Sequence, residues 1–198
     1  MKQGILEALL EARSKRQPVA LITELVSGSQ RLVEKHAIAQ DPLHAKLGEA
    51  FRFDQSFVVH AEDGLEYFVT IQNPPLRLVM IGAVHIAQAM IPMAHAASYD
   101  VTVIDPRGAF ATSARFPDVT LHADWPDEIM PTLALDARTA LLALTHDPKI
   151  DDPALLAAFQ SDVFYIGALG SRKTHASRLE RLRSQGVSDD QLARIHAP

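Results

Sequence analysis

The sequence predicts an α/β protein in which an open parallel sheet follows a small α+β N-terminal domain with hairpins. Two observations predict this arrangement. After residue 75, apolar runs of strand length alternate with segments of helical periodicity, which is typical of a parallel sheet covered by helices. Before residue 75, β-branched runs flank short turn signals, which is typical of antiparallel hairpins. The chain has 198 residues, 47% of them hydrophobic, and is therefore large enough to bury a core.

The N-terminal domain is predicted over residues 1–75. Its expected elements are a helix over Ile5–Arg16, a strand over Val19–Val26 that returns over Arg31–Val33, a helix from Asp41 to Phe51, and a hairpin of Ser56–His60 with Leu65–Ile71. An Asp-Gly pair at Asp63 and Gly64 predicts the tight turn of that hairpin. The stretch Asn73-Pro74-Pro75 predicts a stiff, extended linker and is therefore the expected domain boundary.

The second domain is predicted over residues 76–198. Its expected strands are Leu76–Ile81, Tyr99–Ile104, Val119–His122, Thr139–Leu144 and Val163–Ile166, and its expected helices are Ala83–Ala97, Pro153–Gln160 and Arg172–Gln185. Asp152 is predicted to cap the second of these helices, and Gly186 to end the third. Because strands alternate with helices, the domain is predicted to be Rossmann-like.

Composition excludes several classes of function. The chain has 19 basic against 24 acidic residues and a net charge of −5, which excludes the basic footprint of a sequence-independent nucleic-acid binder. It has no apolar run of the roughly 18 residues needed to cross a bilayer and no apolar centre of a signal peptide, so we expect a cytoplasmic protein. The chain contains no cysteine, which excludes disulfides and thiol nucleophiles. We predict no metal site.

Polar or glycine-rich turns follow four of the predicted strands. In an open parallel sheet, ligands bind beyond the carboxyl ends of the strands, where these turns are expected to lie together. The resulting candidate ligand-binding residues are Gly82, His85, Asp105, Arg107, Thr145, His146, Asp147, Gly167, Gly170, Ser171, Arg172 and Lys173.

The turn from Gly167 to Lys173 carries the clearest signal for an anion. Its glycines permit backbone N–H groups to point in one direction, and a helix is predicted to begin directly after it. Arg172 and Lys173 would lie at the positive end of that helix dipole, where an arriving phosphate or carboxylate relieves the unfavourable interaction. The alternative is that both side chains simply extend into water.

The turn after the first strand leaves two interpretations open. It follows a strand and opens a helix, and Asp105 follows Gly82 by about 20 residues, as a ribose-binding acid does in a dinucleotide site. Val84, however, replaces the glycine that lets the backbone approach a pyrophosphate. The turn therefore either binds NAD(P) or only connects strand and helix. His85 is either a partner of a neighbouring loop or a ligand-facing proton donor.

These turns, taken together, carry a family resemblance. The stretches concerned are Ile-Gly-Ala-Val-His-Ile-Ala-Gln-Ala from Ile81, Val-Thr-Val-Ile-Asp-Pro-Arg from Val101, Arg-Phe-Pro from Arg115, Leu-Thr-His-Asp-Pro-Lys from Leu144, and Tyr-Ile-Gly-Ala-Leu-Gly-Ser-Arg-Lys-Thr from Tyr165. In this order and spacing they resemble the xanthine dehydrogenase accessory protein family (XdhC/CoxI). The resemblance covers residues 76–198.

The resemblance implies a maturation factor that binds the molybdenum cofactor (molybdopterin), protects it during sulfuration and passes it to a molybdenum hydroxylase such as xanthine dehydrogenase. Its implied partners are that hydroxylase and a separate cysteine-dependent sulfurtransferase, since this chain has no cysteine to carry sulfur. A homodimer is expected from the general frequency of such assemblies. Two other functions stay open: an NAD(P)-dependent oxidoreductase with His85 or His146 as proton donor, and a protein-interaction module without a ligand.

The sequence departs from the family pattern in three places. Val84 stands where the family commonly has glycine. The first 75 residues look like a shortened form of the family's N-terminal domain. The chain ends at Pro198, where family members continue, and we expect a closing strand or helix to be absent or supplied by a partner chain.

Overall fold

The computed structural model describes residues 3–197, which form two compact units that divide between Pro74 and Pro75. The first unit consists of α1 (Gln3–Ser14), β1 (Val19–Glu24), β2 (Gln30–Glu34), a 3₁₀ turn (Lys35–Gln40), α2 (His44–Phe53), β3 (Phe57–His60) and β4 (Glu66–Gln72). Its four strands form an antiparallel sheet in the order β2-β1-β4-β3. Leu47 and Phe51 of α2 pack with Ile22 and Val69 of the sheet to form its core.

The second unit alternates strands and helices. Its elements are β5 (Arg77–Ile81), α3 (His85–Ala96), β6 (Asp100–Ile104), β7 (Thr120–His122), α4 (Pro126–Ile129), a 3₁₀ turn (Met130–Leu133), β8 (Thr139–Ala143), α5 (Pro148–Phe159), β9 (Tyr165–Ala168), α6 (Arg172–Ser184), α7 (Asp189–Leu192) and β10 (Ile195–His196). The six strands are parallel, in the order β10-β9-β8-β5-β6-β7. The predicted α/β fold class is confirmed.

The two faces of the parallel sheet have separate cores. Along β5, Val79 and Ile81 pack with α5 and α6, whereas Leu78 and Met80 pack with α3. This alternation follows from the two-residue repeat of a strand, because successive side chains point to opposite faces. The sheet is therefore fixed from both sides, and its carboxyl edge is a rigid base for the turns.

The predicted start of α5 is wrong. The helix begins at Pro148, and its cap is Asp147, whose side chain accepts a hydrogen bond from the Lys149 N–H. Pro153 lies inside the helix, and Asp152 does not cap it. The Asp152 carboxylate is instead buried and accepts two hydrogen bonds from Arg181 of α6, at 2.8 and 3.1 Å.

Smaller differences concern the short elements. The strand predicted over Val163–Ile166 runs from Tyr165 to Ala168, because Val163 packs into the core before pairing with β8 begins. The sequence did not predict α4, α7 or β10, which have two to four residues each. No helix within residues 3–197 has the length and apolar character needed to cross a membrane.

Two serine substitutions distinguish the two Asp-Pro pairs. Serine is a good helix cap, so Asp147→Ser is expected to change the free energy of unfolding by less than about 0.5 kcal/mol. Serine cannot replace a buried carboxylate that pairs with a guanidinium, so Asp152→Ser is expected to lower it by about 1.5–3 kcal/mol. Urea denaturation of both variants measures the difference. A larger loss for Asp147→Ser than for Asp152→Ser would contradict this assignment.

Candidate functional site

Four turns meet at the carboxyl edge of the parallel sheet. We call residues 82–84 after β5 the first turn, residues 105–107 after β6 the second, residues 144–147 after β8 the third, and residues 169–171 after β9 the fourth. Eleven of the twelve candidate residues lie in these turns or on the first two residues of the helix that follows, and Gly167 lies in β9. In this fold class, ligands bind in the crevice beyond this edge of the sheet.

Asp105 joins the first and second turns. Its side chain is fully buried, and one carboxylate oxygen accepts the Ala83 N–H at 2.8 Å. Both oxygens also accept hydrogen bonds from the Arg107 guanidinium, and the Arg107 N–H adds another. Burial raises the pKa of Asp105, but the bonds from Arg107 and Ala83 outweigh it and hold that pKa below its ordinary value. Asp105 and Arg107 therefore stabilise the turns.

The first and third turns are in close contact at Gly82. Its φ of +115° is a conformation that favours glycine, and a Cβ atom there would lie 2.6 Å from the Thr145 Cγ2 atom. The sequence placed Gly82 in a phosphate-binding fingerprint. The structure gives it a second reason to be glycine, because any side chain would separate the two turns.

Asp151 of α5 holds the third turn. One carboxylate oxygen accepts the Thr145 hydroxyl at 2.7 Å and the Thr145 N–H at 3.3 Å, and the other accepts the His146 N–H at 2.9 Å. His146 has a φ of +66°, in the left-handed region that non-glycine residues seldom adopt. Such strain persists only where neighbouring contacts impose it. Asp151 supplies those contacts.

The third and fourth turns share one acceptor, the carbonyl oxygen of Leu169. It accepts hydrogen bonds from His146 Nδ1 at 3.1 Å and from Arg178 Nη2 at 2.8 Å. Arg178 belongs to α6 and is 1% exposed, and its Nη2 atom lies 3.7 Å from an oxygen of Asp151. The buried pair of Asp151 and Arg178 therefore connects α5, α6 and both turns.

Burial dominates the electrostatics beneath these turns. It raises the pKa of Asp151 despite the hydrogen bonds from Thr145, and it lowers the pKa of Arg178 despite the nearby Asp151. Burial and the charge of Arg178 lower the pKa of His175. Among the described residues, three buried nitrogen atoms here have no hydrogen-bond partner: Nε and Nη1 of Arg178 and Nδ1 of His175. The region retains unused donor capacity.

The fourth turn leads directly into α6. Gly170 has a φ of +150°, and Ser171 caps the helix by accepting the Thr174 N–H at 3.1 Å. The backbone N–H groups of Arg172 and Lys173 have no acceptor within residues 3–197. Both side chains are exposed, and neither is in an ion pair or hydrogen bond with another described residue. Two amides and two cations are thus available at the start of this helix.

An apolar cavity of about 410 Å³ adjoins the fourth turn. Its lining residues are Ile86, Met90, Leu142, Leu144, Tyr165, Gly167, Ala168, Leu169, His196 and Ala197. The rings of Tyr165 and His196 stack with centroids 4.7 Å apart and an interplanar angle of 6°. A Cβ atom on Gly167 would lie 2.7 Å from Leu142 and 2.9 Å from Tyr165, so glycine lets both side chains lie against the strand. His85, exposed, begins α3 one residue before Ile86.

The first unit contains a second cavity of about 410 Å³. Several of its polar side chains already pair with close neighbours. Arg31 donates to both oxygens of Asp41, and the Tyr67 hydroxyl donates to Asp63. The crevice of the second unit, where cationic groups stay unpaired, is the better candidate site.

Sequence reasoning missed Asp151 and Arg178 as organisers of the site. Asp151 is next to Asp152 and resembles part of a helix start, while Arg178 lies in a strongly polar helix. The one usable signal was their spacing: Asp151 follows His146 by between one and two helical turns, and Arg178 follows Ser171 by about two. Residues at such spacing lie beneath the preceding turn.

The pair of Asp151 and Arg178 is testable by a double-mutant cycle. Asp151→Asn leaves a buried guanidinium without its counter-charge, and is expected to lower the free energy of unfolding by about 3–5 kcal/mol. Adding Arg178→Met removes that uncompensated charge, so the double variant is expected to lose at least about 1 kcal/mol less than the sum of the single losses. Chemical denaturation of the four proteins measures this. Strict additivity would show that the two side chains act independently.

Comparison with known proteins identifies the second unit. The family model of the XdhC Rossmann domain matches residues 78–198. The chain is 34% identical over 126 residues to the molybdenum cofactor insertion chaperone PaoD of Escherichia coli, an alignment that covers 64% of this chain and 33% of that protein. It is 29% identical over 129 residues to a protein of Bacillus subtilis named as a probable xanthine dehydrogenase subunit, covering 63% of this chain and 37% of that protein.

A solved structure supports the fold. A crystal structure of a xanthine dehydrogenase from Bacillus halodurans matches with a TM-score of 0.51 at 15% sequence identity, covering 87% of this chain and 81% of that chain. The chain spans only 33% and 37% of the lengths of the two curated relatives named above. Because the family model matches more than half of the chain, the protein belongs to the XdhC family, as its motifs predicted.

Proposed function

We propose that the crevice binds the molybdenum cofactor and that the chain is a non-catalytic maturation factor, which delivers the cofactor to a molybdenum hydroxylase such as xanthine dehydrogenase. Family membership supports a role in molybdenum enzyme maturation, since one relative is named a molybdenum cofactor insertion chaperone. The cofactor is cargo in this proposal, bound and passed on rather than used for a reaction.

The start of α6 is the observation that carries the proposal. Molybdopterin is a planar ring system with a terminal phosphate, and a phosphate is held best by backbone N–H groups at a helix start together with cationic side chains. Arg172 and Lys173 supply both kinds of donor without a competing partner among residues 3–197. Gly170, with a φ of +150°, lets the fourth turn pass close to Thr174, since a Cβ atom there would lie 3.2 Å from the Thr174 side chain.

The apolar cavity beside the fourth turn suits the ring system. It shares Leu169 with the fourth turn, so a ligand whose phosphate lies at the start of α6 is able to place a flat apolar surface against Leu142 and Leu144. Ligand sites of this kind combine an apolar lining with a few fixed polar groups. In the third turn the Thr145 hydroxyl is engaged with Asp151, so we assign the His146 ring and the Asp147 carboxylate to the ligand, with His85 at the first turn.

The oxidoreductase alternative fits the first and second turns less well. Val84 is the residue preceding α3, and its side chain occupies the space that a glycine leaves for a pyrophosphate. The oxygens of Asp105 are engaged with Ala83 and Arg107, so a ribose hydroxyl would have to displace one of those bonds. These contacts favour a connecting role for both turns over an NAD(P) site.

The first proposed partner supplies sulfur chemistry for which this chain has no cysteine. A chain without cysteine cannot carry a persulfide, so sulfuration of the bound cofactor requires a separate cysteine-dependent sulfurtransferase. The receiving protein is a molybdenum hydroxylase. We further propose a cytoplasmic homodimer, the commonest symmetric assembly of soluble proteins.

Co-purification tests the proposed function. The protein is purified from a host that makes the molybdenum cofactor, and bound pterin is oxidised and detected by its fluorescence. We expect pterin in a reproducible fraction of the protein molecules, and weak binding of NADH and NADPH in a parallel fluorescence titration. Absence of pterin, or tight NADH binding with turnover of a carbonyl substrate, would overturn the proposal.

Substitutions at the two ends of α6 test the phosphate seat, the name we give to the backbone N–H groups and side chains of Arg172 and Lys173. Arg172→Gln combined with Lys173→Gln removes both cationic side chains and is expected to weaken molybdopterin binding at least about tenfold, since hydrogen bonds to charged groups contribute about 1.5–3 kcal/mol. The matched control is Arg183→Gln, in the last turn of the same helix, which is expected to leave the affinity unchanged. Equal molybdopterin affinities of the wild type and of the variant that combines Arg172→Gln with Lys173→Gln would contradict the assignment.

A further inference from the structure

His146 is the one histidine among the described crevice residues whose ring is held by a backbone acceptor. Its Nδ1 atom lies 3.1 Å from the Leu169 carbonyl oxygen and 3.8 Å from the position of a Cβ atom on Gly170. The ring therefore lies against the fourth turn, next to the start of α6. His146 is also exposed, so a ligand in the crevice has access to it.

The Leu169 contact fixes which ring nitrogen carries the proton. A carbonyl oxygen only accepts hydrogen bonds, so His146 Nδ1 must donate. In the neutral imidazole, the other nitrogen, Nε2, is then unprotonated and presents a lone pair. Arg178 donates to the same carbonyl oxygen at 2.8 Å, so both acceptor positions of that oxygen are occupied. Turning the His146 ring away would leave one of them empty.

The backbone of His146 reinforces this orientation. Its left-handed φ of +66° is imposed by Asp151, which accepts the N–H groups of both His146 and Thr145. A strained residue that is held by several buried contacts is typical of positions that present a side chain to a ligand. The strained backbone of His146 and the fixed tautomer of its ring together orient one acceptor atom, Nε2.

We propose that His146 Nε2 accepts a hydrogen bond from a ring N–H group of the bound ligand, and so determines which ligands the crevice selects. This inference rests on the proposed function. The phosphate seat recognises any phosphorylated molecule, whereas a fixed lone pair beside it accepts a ligand that presents a donor and rejects one that presents another lone pair. Reduced pterins carry such N–H groups; simple phosphates without a ring do not.

His146→Asn isolates this acceptor. Asparagine tolerates a left-handed backbone, and its amide N–H reaches the place of Nδ1–H and retains a donor toward Leu169, but no atom replaces Nε2. With molybdopterin as the probe, the dissociation constant is expected to rise at least about tenfold, while the affinity for inorganic phosphate stays within about twofold. His146→Gln, whose amide oxygen reaches toward the place of Nε2, is expected to recover part of the loss.

The control is His95→Asn, which changes an exposed histidine in the last turn of α3. This variant is expected to bind molybdopterin as the wild type does.

¹⁵N NMR of the histidine rings gives an independent measurement: we expect a protonated Nδ1 and an unprotonated Nε2 in neutral His146. An Nε2–H tautomer, or unchanged molybdopterin affinity in His146→Asn, overturns the inference alone. Equal losses of phosphate and molybdopterin affinity also overturn it. A wild-type protein that binds no molybdopterin overturns the proposed function as well.

Discussion

The architecture of the crevice depends on the buried ion pair between Asp151 and Arg178. Asp151 accepts the N–H groups of the third turn, and Arg178 donates to the Leu169 carbonyl in the fourth, so one charge pair fixes the two turns relative to each other. Both side chains are 1% exposed. Because a buried site has a low dielectric constant, removing either partner leaves an uncompensated charge at high cost. Losing this contact therefore costs far more free energy of unfolding than losing a surface ion pair.

The polar groups of the crevice divide into those already engaged and those available. Asp105 and Arg107 satisfy each other and the Ala83 N–H, and therefore act as part of the framework. The amides and side chains of Arg172 and Lys173 keep unused donors among the described residues. The donors at the start of α6 and the neighbouring acceptor at His146 match a ligand with an anionic end and a donor-bearing ring.

Much of this arrangement could be predicted from the sequence. The buried strands are recognisable in the sequence as apolar runs. Parallel strands necessarily place the turns that follow them at one edge of the sheet. The start of α5 could not be predicted, because Asp147-Pro148 and Asp152-Pro153 carry the same capping signal. The choice between them depends on Arg181, which reaches Asp152 from another helix. Likewise, only the tertiary structure shows that Arg178 is buried, since arginines of such a polar helix are ordinarily solvated.

A crystal structure with bound molybdopterin tests the central claim most directly. The account predicts the terminal phosphate within hydrogen-bond distance of the Arg172 and Lys173 amides, with the ring system along the cavity beside Leu169. A ligand bound elsewhere, or a phosphate held at the start of α3 with the α6 amides still solvated, would contradict it.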